Sequence, residues 1–130
     1  MPGRVLSQGG LPSFLAEDDG GPTVMLNLLS FVDQGEPGYR RYLEQARPII
    51  ERIGGWIVYA GTLTTSLIEV EGDDWDAMVL ICWPERTMLA TLARDPAYRV
   101  LNDEGRLRSI RVTSLRASTP WAEVWQPVSP

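Results

Sequence analysis

Two polar residues lie within or beside long apolar runs, where their side chains could do chemistry. Asn27 interrupts the run TVMLNLLSF, and Asp76 opens a second run, DAMVLICW. A buried amide that fails to form hydrogen bonds costs about 1–3 kcal/mol. Asn27 is therefore expected either to hold a substrate oxygen in a cavity between sheets or to bond neighbouring backbone. Asp76 could act as a base, cap a turn or pair with an arginine such as Arg108. Both are our catalytic candidates.

A second group of side chains could bind a substrate. It consists of Tyr42, Trp56, Tyr59, Trp83, Arg108 and Arg111. The aromatic residues would be pocket walls or plain core. Trp56 and Tyr59 share one predicted strand and should lie on opposite faces. Arg108 and Arg111 should also face opposite ways on the last strand, and the one that faces a cavity could hold a carboxylate bidentately; surface charge on an edge strand is the alternative.

The composition excludes several chemistries. The chain contains no histidine and no lysine, which removes Ser-His-Asp catalysis, histidine metal sites and Schiff-base chemistry. Cys82 is the single cysteine and is expected in the core. The acidic stretch from Glu69 to Asp74 suits a solvated turn better than a cation site. We therefore expect no cofactor and no metal.

Length and charge bound the class of protein. The 130 residues fit one domain, with 44% hydrophobic and 22% charged residues. A net charge of −5 without a basic run argues against nucleic acid as a partner. Apolar runs are too short for a membrane span, and the first residues lack a signal-peptide core. A cytoplasmic location is the expectation, and the lone cysteine agrees with it.

Hydrophobic patterning predicts the elements that carry these residues. Residues 1–22 read as an arm with a short helical turn, 23–117 as a domain and 118–130 as a Trp-rich tail. Within the domain, strands are predicted at 23–31, 56–69 (with a bulge at Gly61), 76–83 and 107–116. Residues 33–38 are predicted as a loop. Helices are predicted at 39–53, with a kink at Pro48, at 85–94, and from an Asp95 N-cap to about 103.

This β-α-β-β-α-β order predicts an α+β, ferredoxin-like fold with a four-stranded antiparallel sheet. The first and third strands are apolar on both faces, whereas two helices cover only one face. A second copy would cover the other face, so the protein is expected to form a homodimer, a dimeric α+β barrel.

Several ordered motifs resemble the DUF1330 family. They are the opening strand from Gly21 to Phe31, the Gly54-Gly55 pair, the run EGDDWD before a strand ending Trp83-Pro84, and the run DPAY at 95–98. The resemblance covers about residues 11–117. Trp83 stands where the family usually has Phe, and the tail at 118–130 has no counterpart.

The resemblance implies a dimeric α+β barrel, a superfamily that is similar in fold but diverse in activity. It includes cofactor-independent monooxygenases, muconolactone isomerases, polyketide cyclases and ligand-sensing domains. The expected function is a cofactor-independent enzyme of the isomerase, cyclase or monooxygenase type, acting on a small organic or aromatic molecule in the barrel. The alternatives are a non-catalytic sensor or carrier and a structural dimer with a filled core.

Overall fold

The computed structural model describes residues 3–127 and shows an antiparallel sheet of four strands with helices on one face. The strands are β1 (Thr23–Phe31), β2 (Trp56–Thr62), β3 (Ala77–Trp83) and β4 (Ile110–Ser118), in the order β2-β3-β1-β4. The helices are α1 (Gly10–Ala16), α2 (Gly35–Ile53), α3 (Arg86–Arg94), α4 (Pro96–Leu101) and α5 (Leu107–Ser109), with a π-helical turn at Asn102–Arg106. The predicted α+β, ferredoxin-like fold is confirmed. Among residues 3–127, none of the helices combines the length and the hydrophobicity that a membrane-spanning segment requires.

One face of the sheet and the helices enclose the hydrophobic core. Met25 and Leu29 of β1 and Val79 and Trp83 of β3 point toward the helices and are nearly fully buried. The helical side of this core comes mainly from the α2 residues Tyr39, Tyr42, Ala46 and Ile50. This is the apolar stripe that the sequence pattern predicts for the helix at 39–53.

The opposite face of the sheet, here called the open face, is also apolar. Register places on it Val24, Leu26, Leu28, Trp56, Tyr59, Met78, Leu80 and Cys82. Cys82 and Trp56 are buried, whereas the others are half-buried or, for Tyr59, 51% exposed. At one end, Pro120 and Trp125 of the tail, together with three sheet residues, line an open apolar hollow of about 200 Å³. The predicted two-faced apolar character of β1 and β3 is thus present in the structure. The predicted tail extends to residue 130, and its residues 128–130 lie outside the described residues, as do residues 1–2 of the arm.

A β-bulge in β2 changes which face two aromatic residues occupy. Trp56 opposes Cys82 and Tyr59 opposes Leu80, with Val58 as the extra residue between them. Trp56 and Tyr59 therefore lie on the same face, and the prediction of opposite faces is wrong. The bulge is also not at Gly61, which keeps regular register.

β2 ends at Thr62 rather than at Glu69 as predicted. Thr62 opposes Ala77, the first residue of β3, and the paired register of the two strands ends there. The connection from 63 to 76 is a loop, closed by a hydrogen bond from Leu63 N to Asp76 O at 2.9 Å. A segment rich in β-branched residues does not form a strand when no neighbouring strand pairs with it.

α2 begins four residues earlier than predicted. Gly35 is its first residue and donates from its backbone N–H to Val32 O at 2.8 Å. Pro37 falls within the first turn, where a missing N–H costs nothing. α2 also continues through the exposed Pro48, where water can satisfy the carbonyl of Glu44 that loses its partner.

The chain stays helical up to Ser109, so the predicted start of the last strand at Leu107 is wrong. The Asp95 N-cap is confirmed, because its carboxylate accepts from Tyr98 N at 3.0 Å. Helical structure then continues past Gly105, where the predicted strand pattern should have followed. Ser109 Oγ donates to Gly105 O at 2.7 Å and holds this turn together. Arg108 is therefore helical, and the predicted alternation between Arg108 and Arg111 does not apply.

Candidate functional site

A cleft of about 330 Å³ lies in the helical layer, between α2 and the segment from α4 to α5. Tyr42 and Arg108, both predicted to bind a substrate, line this cleft. The complete lining is Gly38, Arg41, Tyr42, Gln45, Leu101, Glu104, Gly105, Arg108 and Ser109. Apolar surface and several convergent polar groups are therefore combined in one concave site.

Two glycines allow the walls of the cleft to come close together. A Cβ atom added at Gly105 would lie 2.9 Å from Tyr42 Cβ, and one added at Gly38 would lie 2.9 Å from Ser109 Oγ. Gly105 belongs to the π-helical turn, a local widening of the helix that is often found at functional sites. The turn directly precedes α5, the helical segment that carries Arg108.

A buried cluster of tyrosines supports the cleft. Tyr42 OH and Tyr98 OH are 2.7 Å apart, and the Tyr39 and Tyr42 rings pack with centroids 5.3 Å apart. Burial raises the pKa of Tyr42 well above its ordinary value, and the neighbouring Tyr98 raises it further. Burial also raises the pKa of Tyr39, against a smaller opposing effect of Arg106. These two hydroxyls therefore stay protonated near neutral pH and can donate hydrogen bonds but not act as bases.

Asn27 lies outside this cleft, in the core. It shares the helix-covered face with Met25 and Leu29 and is 8% exposed. Its Nδ2 donates to Val79 O on the adjacent strand at 3.3 Å. The expectation that it faces the space between two sheets is wrong, because strand parity turns it toward the helices. The alternative, a bond to neighbouring backbone, is the observed one.

Asp76 is exposed at the end of the sheet. Its Oδ2 accepts from Phe31 N at 2.9 Å, and its own N–H donates to Leu29 O at 2.7 Å. The carboxylate thus caps the end of β1 where the chain enters β3, as the turn-cap alternative states. It does not line the cleft.

The other four predicted site residues lie in three different parts of the structure. Trp83 is 1% exposed in the core, where its ring lies against Gly55. Trp56 and Tyr59 lie on the open face. Arg111 Nη2 donates to Ser30 Oγ at 2.6 Å, beside the second bulge of the sheet. None of these four residues lines the cleft.

Sequence reasoning missed Arg41, Gln45, Glu104 and Ser109 as lining residues. Arg41 and Gln45 lie on the polar side of α2, which reads as an ordinary solvated face. The available signal was Gly105, a glycine within a helical pattern, which often marks close packing against another element.

Cys82 shows no sign of reactivity. It is fully buried on the open face, and burial raises the pKa of its thiol. A thiol that stays protonated is a poor nucleophile. Within residues 3–127, no cluster of three or more Cys, Asp or Glu side chains is arranged to hold a metal ion.

Comparison with known proteins identifies the fold but not the activity. No family model and no curated protein matches the chain. The RPA0582 protein of unknown function from Rhodopseudomonas palustris matches with a TM-score of 0.80 at 24% identity, over 98% of this chain and 100% of that one.

Two more distant structures have the same architecture. A putative antibiotic biosynthesis monooxygenase from Bacteroides thetaiotaomicron gives a TM-score of 0.57 at 14% identity, over 78% of this chain and 90% of that one. A dabb family protein with a ferredoxin-like fold from Mesorhizobium loti gives 0.55 at 11% identity, over 77% and 97%. At these identities the likeness concerns the fold, which hosts many functions.

Proposed function

We propose that this chain is a small-molecule-binding protein whose ligand lies in the cleft between α2 and the π-helical turn. The observation that carries the proposal is the convergence of Tyr42 and Arg108 with Arg41, Gln45 and Glu104 around about 330 Å³. Small-molecule sites usually occupy roughly 300–1,000 Å³ and combine apolar walls with a few placed polar groups. The cleft therefore has room for a ligand about the size of one substituted aromatic ring.

Binding is favoured over catalysis because the catalytic candidates do not meet in the cleft. Asn27 and Asp76 each bond backbone elsewhere. The buried hydroxyl of Tyr42 stays protonated, so it cannot remove a proton from a ligand.

A cofactor-independent enzyme of the isomerase, cyclase or monooxygenase type is the second candidate. The observation in its favour is Glu104, which is the one carboxylate among the nine lining residues. In such an enzyme, Glu104 would accept the proton that the substrate loses.

We further infer that the protein works as a homodimer and belongs to the DUF1330 family. The half-buried leucine and valine side chains of the open face support the dimer, because a partner sheet would remove them from water. The ordered motifs from residue 11 to 117 support the family.

Binding can be tested with four one-ring probes: benzoate, benzamide, benzyl alcohol and benzylamine. We expect at least one to bind the wild type in ligand-observed NMR. Gln45→Trp should abolish binding, because the indole fills the cleft. Glu44→Trp is the matched control, since the neighbouring residue is exposed on α2 but does not line the cleft. Equal binding to both variants, or no binding of any probe to the wild type, would contradict the proposal.

A further inference from the structure

The cleft is lined by one arginine of α2, Arg41, and one arginine of α5, Arg108. Three of the four arginines of α2 have a carboxylate partner: Arg40 with Glu36 at 3.0 Å, Arg47 with Glu51 at 3.2 Å and Arg52 with Asp95 at 2.7 Å. Within residues 3–127, neither Arg41 nor Arg108 has a carboxylate oxygen within 4.0 Å. These are the two arginines that line the cleft.

The guanidinium group of Arg41 lies beside the contact between Gly38 of α2 and Ser109 of α5. A Cβ atom at Gly38 would lie 3.7 Å from Arg41 Nη2 and 2.9 Å from Ser109 Oγ. Arg108 directly precedes Ser109 and lines the same cleft. Both arginines and the Ser109 hydroxyl therefore border the same wall.

The fixed charges of the lining add up to a positive site in an acidic protein. Arg41 and Arg108 contribute two positive charges and Glu104 one negative charge, while Tyr42 stays neutral because burial raises its pKa. The chain as a whole carries −5. Arg106, in the π-helical turn, already donates hydrogen bonds from Nη1 to Asn102 Oδ1 at 3.1 Å and to Arg4 O at 3.2 Å. Arg41 and Arg108 are therefore the cationic donors that the cleft itself offers to a ligand.

We propose that the ligand of this cleft is a small organic monocarboxylate, held by Arg41 and Arg108. This inference rests on the proposed function and narrows its ligand class. Planar guanidinium donors match a carboxylate, and such charge-assisted bonds are about twice as strong as neutral ones. Leu101 and the Tyr42 ring provide the apolar wall for the body of the ligand. Glu104 disfavours a second negative charge and selects against dicarboxylates.

The test compares probes of the same shape but different charge. We expect benzoate to bind at least about tenfold more tightly than the neutral benzamide, and more tightly than the dicarboxylate terephthalate. Arg41→Gln and Arg108→Gln should each lower the affinity for benzoate about tenfold or more and leave the affinity for benzamide unchanged. Isothermal titration calorimetry at low ionic strength, supported by NMR for weak binding, gives these ratios.

Arg40→Gln and Arg47→Gln are matched controls, because they remove the same charge from exposed pairs of the same helix. If these control variants lower the affinity for benzoate as much as Arg41→Gln does, general charge attraction is responsible and the inference is wrong. If benzamide binds as tightly as benzoate, and Gln45→Trp blocks both, the ligand class is wrong but the binding site stands. If no probe binds, both proposals fail.

Discussion

The two polar residues that the sequence singles out as catalytic candidates both bond the backbone. Asn27 and Asp76 stand out in the sequence because they interrupt or border apolar strands. In the structure, each satisfies a backbone group of the neighbouring strand or turn. An isolated polar residue beside a strand therefore has a structural task available wherever backbone donors and acceptors would otherwise stay unpaired.

The ion pair between Asp95 and Arg52 predicts a change in stability at acid pH. The Arg52 guanidinium and the Tyr98 N–H hold the pKa of Asp95 below its ordinary value of 3.8. The charged form is thus favoured in the folded state. The ionised Asp95 carboxylate therefore stabilises the fold fully above about pH 3.8. This stabilisation is lost as the pH falls through the pKa that Asp95 has in the folded state.

Asp95→Asn tests this prediction, because the amide oxygen can still accept from Tyr98 N. We expect the variant to be less stable than wild type in urea unfolding at about pH 7, and the difference to be smaller at about pH 2. Arg52→Gln removes the same pair from the other side and should show the same convergence. A stability difference that is equal at both pH values would contradict the assignment.

At the scale of elements, a single inserted residue or an extended helix decides which side chains meet. Strand parity predicts facing correctly along β1, but the extra Val58 in β2 reverses it between Trp56 and Tyr59. Helical structure through Ser109 likewise moves Arg108 from a strand to the wall of the cleft. These irregularities depend on the neighbouring element, which local sequence does not contain.

The contact between the start of α2 and the end of α5 predicts a strict need for glycine at position 35. A Cβ atom there would clash with the backbone carbonyl oxygen of Ser109, which cannot rotate away. We expect Gly35→Ala to lower the free energy of unfolding by about 1–3 kcal/mol in chemical denaturation.

Gly10→Ala is the control for this substitution. The nearest atom to a Cβ at Gly10 is Ser7 Cβ at 3.7 Å, an ordinary contact, and the change should stay within about 0.5 kcal/mol. Equal stability of the two variants would show that the approach of α2 to Ser109 is not tight in solution.

At the scale of the whole molecule, the open face is the feature that one chain leaves incomplete. Its central side chains, Leu26 and Leu80, oppose each other in register and are only half-buried. The tail reaches one end of this face through Pro120 and Trp125. A second copy packed on the remainder would bury apolar area, which is the main favourable contribution to association.

The proposed dimer predicts a solution mass near twice the 14.5 kDa of one chain, measured by light scattering after size exclusion. Leu26→Glu and Leu80→Glu should each shift the protein to monomer, because a charge would be buried at the centre of the interface. Leu67→Glu is the control, since this loop residue is 92% exposed. A wild-type monomer at micromolar concentration would overturn the dimer but would leave the cleft in place.

The sequence alone determined the order of strands and helices, and with it the fold class. The reason is that two-residue and 3.6-residue periodicities are local and specify which faces must be buried. It also predicted Tyr42 and Arg108, which both line the cleft, as candidate binding residues by type. Only the tertiary structure decided that Arg41, Gln45 and Glu104 accompany them and that Asn27 turns toward the helices. The lining of the cleft depends on the π-helical turn and on close glycine contacts, and the facing of Asn27 depends on which side of β1 the helices cover. Both are decided only when distant segments pack together.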